Sequence, residues 1–256
     1  MILTVDIGNS NICISLHKED SAEPLFFDRL KTNKNRSEKQ YLNDVLKILK
    51  ARRIPVSSID RTALSSVVAS LTIVFAHVLS ELTGKDPFII SYASRLPFES
   101  HVDVPSEVGN DLLSDITGAL RKYEPPFIIF SLGTATVTIV VSEEPALKAV
   151  MIYPGVNTSL RTLSAKADAL PDIDIDHPGQ LMSRNTKDAM VSGIVYGTAS
   201  MLDGMVDRIT KETGKTYTVI ATGGLAHVIC PYCLHEVHIE ETLLMEGLFE
   251  ALKLNT

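Results

Sequence analysis

The stretch Ile2-Leu3-Thr4-Val5-Asp6-Ile7-Gly8-Asn9-Ser10-Asn11-Ile12-Cys13-Ile14-Ser15-Leu16 decides the fold. An apolar run carries a carboxylate near its end, Gly8 opens a polar turn, and Ile12, Ile14 and Leu16 then alternate with Asn11, Cys13 and Ser15. Two apolar runs joined through Gly-Asn-Ser predict a hairpin of half-buried strands. The scheme returns half a chain later. Phe127-Ile128-Ile129-Phe130-Ser131-Leu132 leads into Gly133-Thr134-Ala135-Thr136, and Val137, Ile139 and Val141 then share one face. The recurrence predicts an internal duplication, with one lobe over 1–122 and a second over 123–256. Glu124-Pro125-Pro126 reads as the linker.

Between the hairpins the pattern changes period. Ser37-Glu38-Lys39-Gln40 has the spacing of a capping box, and Tyr41, Leu42, Val45, Ile48 and Leu49 follow at helical intervals. Ala63–Val68 reads as a buried strand leading into a core helix, and another helix starts near Asn185-Thr186 and runs to about Ile209. Gly193, Gly197, Ser200 and Gly204 form one stripe on that helix. Each interior glycine costs about 1 kcal/mol relative to alanine, so the stripe predicts close approach by another helix, from this chain or a partner. A strand at Thr218–Thr222 meets Gly223-Gly224, and an amphipathic helix covers about Thr242–Leu252. Hairpins followed by alternating helices and strands predict an α/β protein of two lobes with a cleft between them.

With 256 residues, 45% hydrophobic and 21% charged, the chain has the composition of a folded globule. Its net charge of −7 favours neither nucleic acid nor an anionic membrane as partner. Cys13, Cys230 and Cys233 are too few for a disulfide scaffold and fit a reducing compartment. Met1 runs straight into the first strand without a signal-peptide pattern. The apolar stretch from Ala63 to Leu82 is interrupted by Ser65, Ser66, Ser70, Thr72, His77 and Ser80. The expectation is a soluble, cytoplasmic protein.

Three elements carry chemistry. Asp6 ends a buried strand at a turn whose backbone N–H groups, with Asn9, Ser10 and Asn11, can cradle phosphate oxygens while Asp6 holds Mg²⁺ through water. The plain alternative is a hairpin turn capped by an aspartate. Gly133-Thr134 offers the same equipment in the second half, and Gly223-Gly224 lets backbone approach an adenosine closely. Gly109-Asn110-Asp111 opens a helix, where Asp111 serves either as a cap or as the base that accepts a proton from an attacking hydroxyl. Cys230-Pro231-Tyr232-Cys233, with His227, His235 and His238 around it, reads as a surface loop or, alternatively, as a redox or zinc site.

Taken in order, the motifs resemble those of the type III pantothenate kinases. They are Asp-x-Gly-Asn-Ser at 6–10, Ser-Ser-Val-Val at 65–68, Pro-x-Glu-Val-Gly-x-Asp at 105–111 and Gly-Thr-Ala at 133–135. Pro-Gly follows at 154–155, Asn-Thr-x-x-Ala-Met-x-Ser-Gly-x-x-Tyr-Gly at 185–197, Ala-Thr-Gly-Gly-Leu-Ala at 221–226 and Glu-Gly-Leu at 246–248. The resemblance implies two ribonuclease-H-like lobes of the acetate and sugar kinase/actin superfamily with an interlobe ATP cleft. It also implies a homodimer, and transfer of the ATP γ-phosphate to pantothenate as the first step of coenzyme A biosynthesis. Mg²⁺ and a monovalent cation, K⁺ or NH₄⁺, are implied as cofactors. By position the resemblance implies that Asp6, Ile7, Gly8, Asn9, Ser10, Asn11, Ile12 and Cys13 bind ATP with Gly133, Thr134, Gly223 and Gly224. It implies that Asp111 is the base, that Gly109, Asn110 and Asp111 belong to the pantothenate side, and that Thr186 touches pantothenate across the dimer.

The chain departs from the family's pattern at four positions. Leu112 stands where the family has arginine after Gly-x-Asp, Val102 where it has a substrate-side tyrosine, Ser131 where it has the aspartate for the monovalent cation, and Ala69 where it has proline. The first two bear on pantothenate, because leucine cannot grip a carboxylate as a guanidinium does. They admit a second expectation, a nucleotide-binding paralogue with altered or lost transfer and a regulatory role.

Overall fold

The computed structural model describes residues 1–175 and 177–256. The chain opens with a three-stranded antiparallel meander, β1 (Ile2–Ile7), β2 (Asn11–His17) and β3 (Pro24–Lys31). Helix α1 (Glu38–Ala51) follows, and its capping box is formed as the sequence predicts, with Gln40 N–H on the Ser37 hydroxyl and the Gln40 side chain on Ser37 N–H. Strand β4 (Arg61–Ser66) then pairs parallel to β1, α2 (Ala69–Thr83) ends at a left-handed Gly84, and β5 (Phe88–Ile89) extends the edge. The sheet order is β3-β2-β1-β4-β5. The short β6 (Glu99–Ser100) joins the second sheet, and α3 (Asn110–Lys122) returns to the first unit.

The second meander is β7 (Phe127–Leu132), β8 (Ala135–Val141) and β9 (Ala146–Pro154), followed by α4 (Val156–Lys166) and α5 (Thr186–Thr213). Strand β10 (Thr218–Thr222) pairs parallel to β7, α6 (Ala226–Ile229) follows, β11 (His238–Ile239) pairs parallel to β10, and α7 (Leu243–Leu254) closes the chain. The order β11-β10-β7-β8-β9-β6 reads, from β9 to β11, as the order of the first sheet. The duplication expected from the two hairpins is therefore present at the level of whole sheets. Each is a ribonuclease-H-like arrangement of an antiparallel meander extended by parallel strands.

The chain divides into two compact units at Lys122, but the residues beyond it do not all fall in the second. The first compact unit is Met1–Glu99, Asp103–Lys122 and Thr242–Thr256, and the second is Ser100–Val102 with Tyr123–Glu241. The last helix belongs to the first unit because its apolar face is needed there. Leu3, Val5, Ile7, Ile12 and Ile14 pack one sheet face against Tyr41 and Val45 of α1 and Phe75 of α2. Ile2 and Ala63 on the opposite face are covered by Leu113 of α3 and by Leu248, Phe249 and Leu252 of α7. Without α7 that face would meet water, at about 25 cal/mol per Å² of apolar surface. In the second unit Ile128, Phe130 and Leu132 pack against Val191, Val195, Leu202 and Val206 of α5. Helix α5 is long and apolar enough to cross a membrane by length and composition, and this core packing accounts for its apolar face.

Helices α3 and α7 approach so closely that a side chain at Gly247 would collide with the Ser114 carbonyl, and one at Gly118 with the Leu243 carbonyl. Beside that contact the buried Glu246 accepts from Arg121 and Lys122 at 2.9 Å each and from the Thr242 hydroxyl at 2.7 Å. Gly247→Val is therefore expected to destabilise the protein by about 3 kcal/mol, the upper end of the overpacking range, because backbone rather than a flexible side chain must yield. Urea unfolding measures this, and a loss below about 1 kcal/mol would contradict the packing.

Candidate functional site

Asp6 and Asp111 lie in the first unit, and the charge of Asp111 acts on the Asp6 carboxyl. Asp6 lies on the central strand, flanked in register by Cys13 of β2 and Ser65 of β4. The buried Ser65 hydroxyl donates to Asp6 Oδ1 at 2.8 Å. Burial first, and then the charge of Asp111, push the Asp6 carboxyl up to about 7. Burial likewise raises Asp111, against the opposing effect of backbone N–H donors that include Leu112 N–H at 2.9 Å. Cys13 is pushed up to about 11 by burial and by Asp6, so its thiol is protonated at neutral pH.

The turn beyond Asp6 is held at both ends. Gly8 N–H donates to the Asn11 carbonyl at 2.9 Å, and Thr32, just past β3, donates its hydroxyl to the Gly8 carbonyl at 2.7 Å and its N–H to Ser10 at 3.1 Å. Asn9, Ser10 and Asn11 are exposed at its tip, whereas Ile7 and Ile12 are wholly buried. Of the Asp6–Cys13 stretch, Ile7 and Ile12 can therefore serve a ligand only through backbone.

Asp111 is placed by its neighbours. Asn110 begins α3 and its amide donates to the Ser66 carbonyl at 3.2 Å, tying the helix start to the end of β4. A side chain at Gly109 would collide with the Asp111 carboxylate, so the glycine leaves room for that group to fold back over the helix start. Leu112 is only 7% exposed and packs inward, so it offers a substrate nothing polar.

The remaining sequence-predicted residues lie in the second unit. Gly133 N–H donates to the Ala135 carbonyl at 3.0 Å, closing a turn like that at Gly8. The Thr158 hydroxyl donates to the Thr134 carbonyl at 2.8 Å, and Gly155 is required because a side chain there would strike the Thr134 and Gly133 carbonyls. Gly223 has φ +96° and a Cβ there would lie 2.6 Å from the Leu132 carbonyl, so this glycine serves contact with β7, and only Gly224 is exposed. Ser131 is half-buried opposite Thr222 and Val137, Val102 is half-buried, and Thr186 is exposed at the start of α5. Asn185 caps that helix by accepting from Asp188 N–H at 2.9 Å.

Among the described residues nothing lies within 4 Å of a Cβ built at Gly193, Gly197 or Gly204, so of the two approaches expected for the glycine stripe the one from a partner is left. The Cys-x-x-Cys segment is not simply a surface loop, because Cys230 is buried in the core of the second unit and hydrogen-bonds Cys233. The surrounding histidines are engaged separately, His235 with Asp207, His227 with Glu241 and His238 against the Tyr123 ring. No metal-ligating cluster of three or more His, Cys, Asp or Glu occurs among the described residues.

Sequence reasoning missed Ser65 and Thr32 as the groups that orient Asp6 and its turn. Both are small hydroxyl residues whose contacts reach across the sheet; Ser65 falls in the Ser-Ser-Val-Val motif, but nothing local marks either as a partner of Asp6 or its turn.

The family profile described as type III pantothenate kinase matches residues 2–208. A type III pantothenate kinase of Dictyoglomus turgidum is 35% identical over 251 residues, covering 97% of each chain. One from Exiguobacterium sibiricum is 33% identical over 248 residues, also covering 97% of each. Among solved structures, an activator of 2-hydroxyisocaproyl-CoA dehydratase from Clostridium difficile superposes with a TM-score of 0.58 at 11% identity, covering 99% of this chain and 93% of that one. An inorganic polyphosphate/ATP-glucomannokinase from Arthrobacter gives 0.52 at 10% identity, covering 100% and 99%. These two show the fold, that of the actin and sugar-kinase ATPases. Since the profile takes in most of the residues and the relatives align from end to end, the chain belongs to the type III pantothenate kinase family.

Proposed function

We propose that this protein transfers the γ-phosphate of ATP to the hydroxyl of pantothenate, forming 4′-phosphopantothenate in the cytoplasm as the first step of coenzyme A biosynthesis. The observation that carries the reading is the buried Asp6, within reach of the Asp111 charge, beside the Gly8 turn. The turn's backbone N–H groups and the side chains of Asn9, Ser10 and Asn11 receive phosphate oxygens. Asp6, pushed up by burial and by Asp111, sits where a divalent cation reverses both effects, so Mg²⁺ fits there through water. Bound Mg²⁺ supplies neutralisation of the charge that develops on the β- and γ-phosphates. Asp111 accepts the proton as the pantothenate oxygen attacks phosphorus. The bond from the γ-phosphorus to the bridging oxygen breaks, and ADP leaves with the electron pair. A base whose pKa is raised toward the working pH takes that proton more effectively. The resemblance to the family supports Gly133, Thr134 and Gly224 as further ATP-binding positions, and Thr186 as a pantothenate contact made across a dimer.

The glycine stripe of α5 supports a homodimer, because a helix surface without side chains invites a close partner and none of the described residues lies within 4 Å of a Cβ built at Gly193, Gly197 or Gly204. Leu112 is buried and Val102 carries no polar group, so the pantothenate carboxylate lacks a charge-assisted partner worth about 1.5–3 kcal/mol. The expected result is a pantothenate KM raised about ten- to a hundred-fold over that of a relative with the arginine, with the ATP KM little changed. Ser131, a neutral hydroxyl, blunts potassium activation. Initial rates over both substrates, with and without potassium, test this. Tight pantothenate saturation with strong potassium activation would show that other residues do both tasks.

A further inference from the structure

We infer that Arg29 is a phosphate-binding residue of this nucleotide site; the inference rests on the functional reading above and adds a guanidinium to the turn's backbone donors. Strand register places it there. Asp6 on β1 pairs with Cys13 on β2, and Cys13 pairs with Arg29 on β3. Side chains opposite one another in a sheet project from the same face, so Arg29, Cys13, Asp6 and Ser65 form one row across four strands. Adjacent strands lie about 4.8 Å apart, which puts the Arg29 backbone about 10 Å along the row from Asp6. A polyphosphate lying along the row meets Asp6 with its metal at one end and the guanidinium at the other.

Three observations fix the arginine. Its guanidinium carbon lies 4.9 Å from the Phe27 ring centroid, a stacked contact that holds the plane. It hydrogen-bonds the Cys13 sulfur, the group between it and Asp6. The end of the same strand is fastened to the phosphate turn through Thr32, so the position of Arg29 is coupled to the turn that cradles the oxygens. The neighbouring Asp28 is already engaged with Arg52 at 2.7 Å, and Arg29 itself is exposed and pairs with no carboxylate among the described residues. The other face of β3 thus carries a closed ion pair, and this face carries an exposed cation with donors beyond the one used on Cys13. A guanidinium matches phosphate oxygens bidentately, and a lysine does not.

Equilibrium binding of ATP, ADP and adenosine to the full chain, in the presence of Mg²⁺, separates the possibilities. Arg29→Gln is expected to weaken ATP about ten- to a hundred-fold and ADP less or equally, with adenosine unchanged and the melting temperature preserved. Arg29→Lys should recover part of the loss, and the ATP affinity of the unaltered chain should fall more steeply with salt than that of Arg29→Gln. Equal ATP affinity in Arg29→Gln overturns the inference, and so does an equal loss for ATP and adenosine, which would report a general defect. An unaltered chain that binds no nucleotide at all overturns the functional reading and this inference with it.

Discussion

Asp111→Asn is expected to lower turnover by about 10²–10⁴-fold while ATP binding stays close to that of the unaltered chain. The amide keeps the shape of the carboxylate, so it still fits the room left by Gly109 and can still accept from Leu112 N–H. It cannot take a proton from an attacking hydroxyl. The phosphate turn at Gly8 is closed by Asn11 and Thr32 and does not depend on Asp111, which is why binding should survive. A structural cap would give the opposite pattern, a lower melting temperature with turnover in proportion to folded protein. Steady-state rates alongside a direct ATP titration distinguish them, and unchanged turnover in the variant would remove Asp111 from the chemistry.

Asp6→Asn should act in two directions at once. In the metal-free protein the carboxyl goes from an ordinary 3.8 to about 7 in the folded state. A raised pKa means that the folded state binds the proton more tightly than the unfolded one. The stability Asp6 contributes is thus fully present below about pH 4 and lost as pH rises through 7. Above that, burying the charge costs about 4 kcal/mol. Asparagine is neutral at every pH and keeps an oxygen for the Ser65 hydroxyl. The variant should therefore melt higher than the unaltered chain at pH 8, with the gap closing toward pH 4. It should also lose Mg²⁺-dependent phosphate transfer and the extra melting stability that Mg²⁺ with ATP confers. Melting curves of both proteins across that range decide the matter. A variant no more stable than the original at pH 8 would mean that Asp6 is not a strained, buried carboxylate.

Much of this was readable from the chain. The capping box at Ser37, the strand at Thr218–Thr222 and the two hairpins follow from local pattern, and the structure forms each of them. The placement of α7 was not readable, because an amphipathic helix at the end of a chain says only that it covers something. It covers the first sheet through Leu248 and Phe249, and the glycines that permit it, Gly118 and Gly247, lie far apart in sequence. Gly155 and Gly223 illustrate the same limit. Their motifs alone do not show that a side chain at either position would meet backbone packed against it. At the site, Asp6 and Asp111 stand out because a carboxylate next to glycine is conspicuous. Ser65, Thr32 and Arg29 became visible only once strand register aligned residues from different parts of the chain. The substitution at Leu112 reads as a lost grip on substrate, and its burial shows that the position now serves the interior.

The central claim is phosphate transfer, and ³¹P NMR of the purified protein with ATP, Mg²⁺ and saturating pantothenate measures it directly. The account predicts a phosphomonoester signal of 4′-phosphopantothenate growing in step with ADP and absent with Asp111→Asn. Nucleotide binding without any such signal would contradict it and leave a nucleotide-binding relative that has lost transfer.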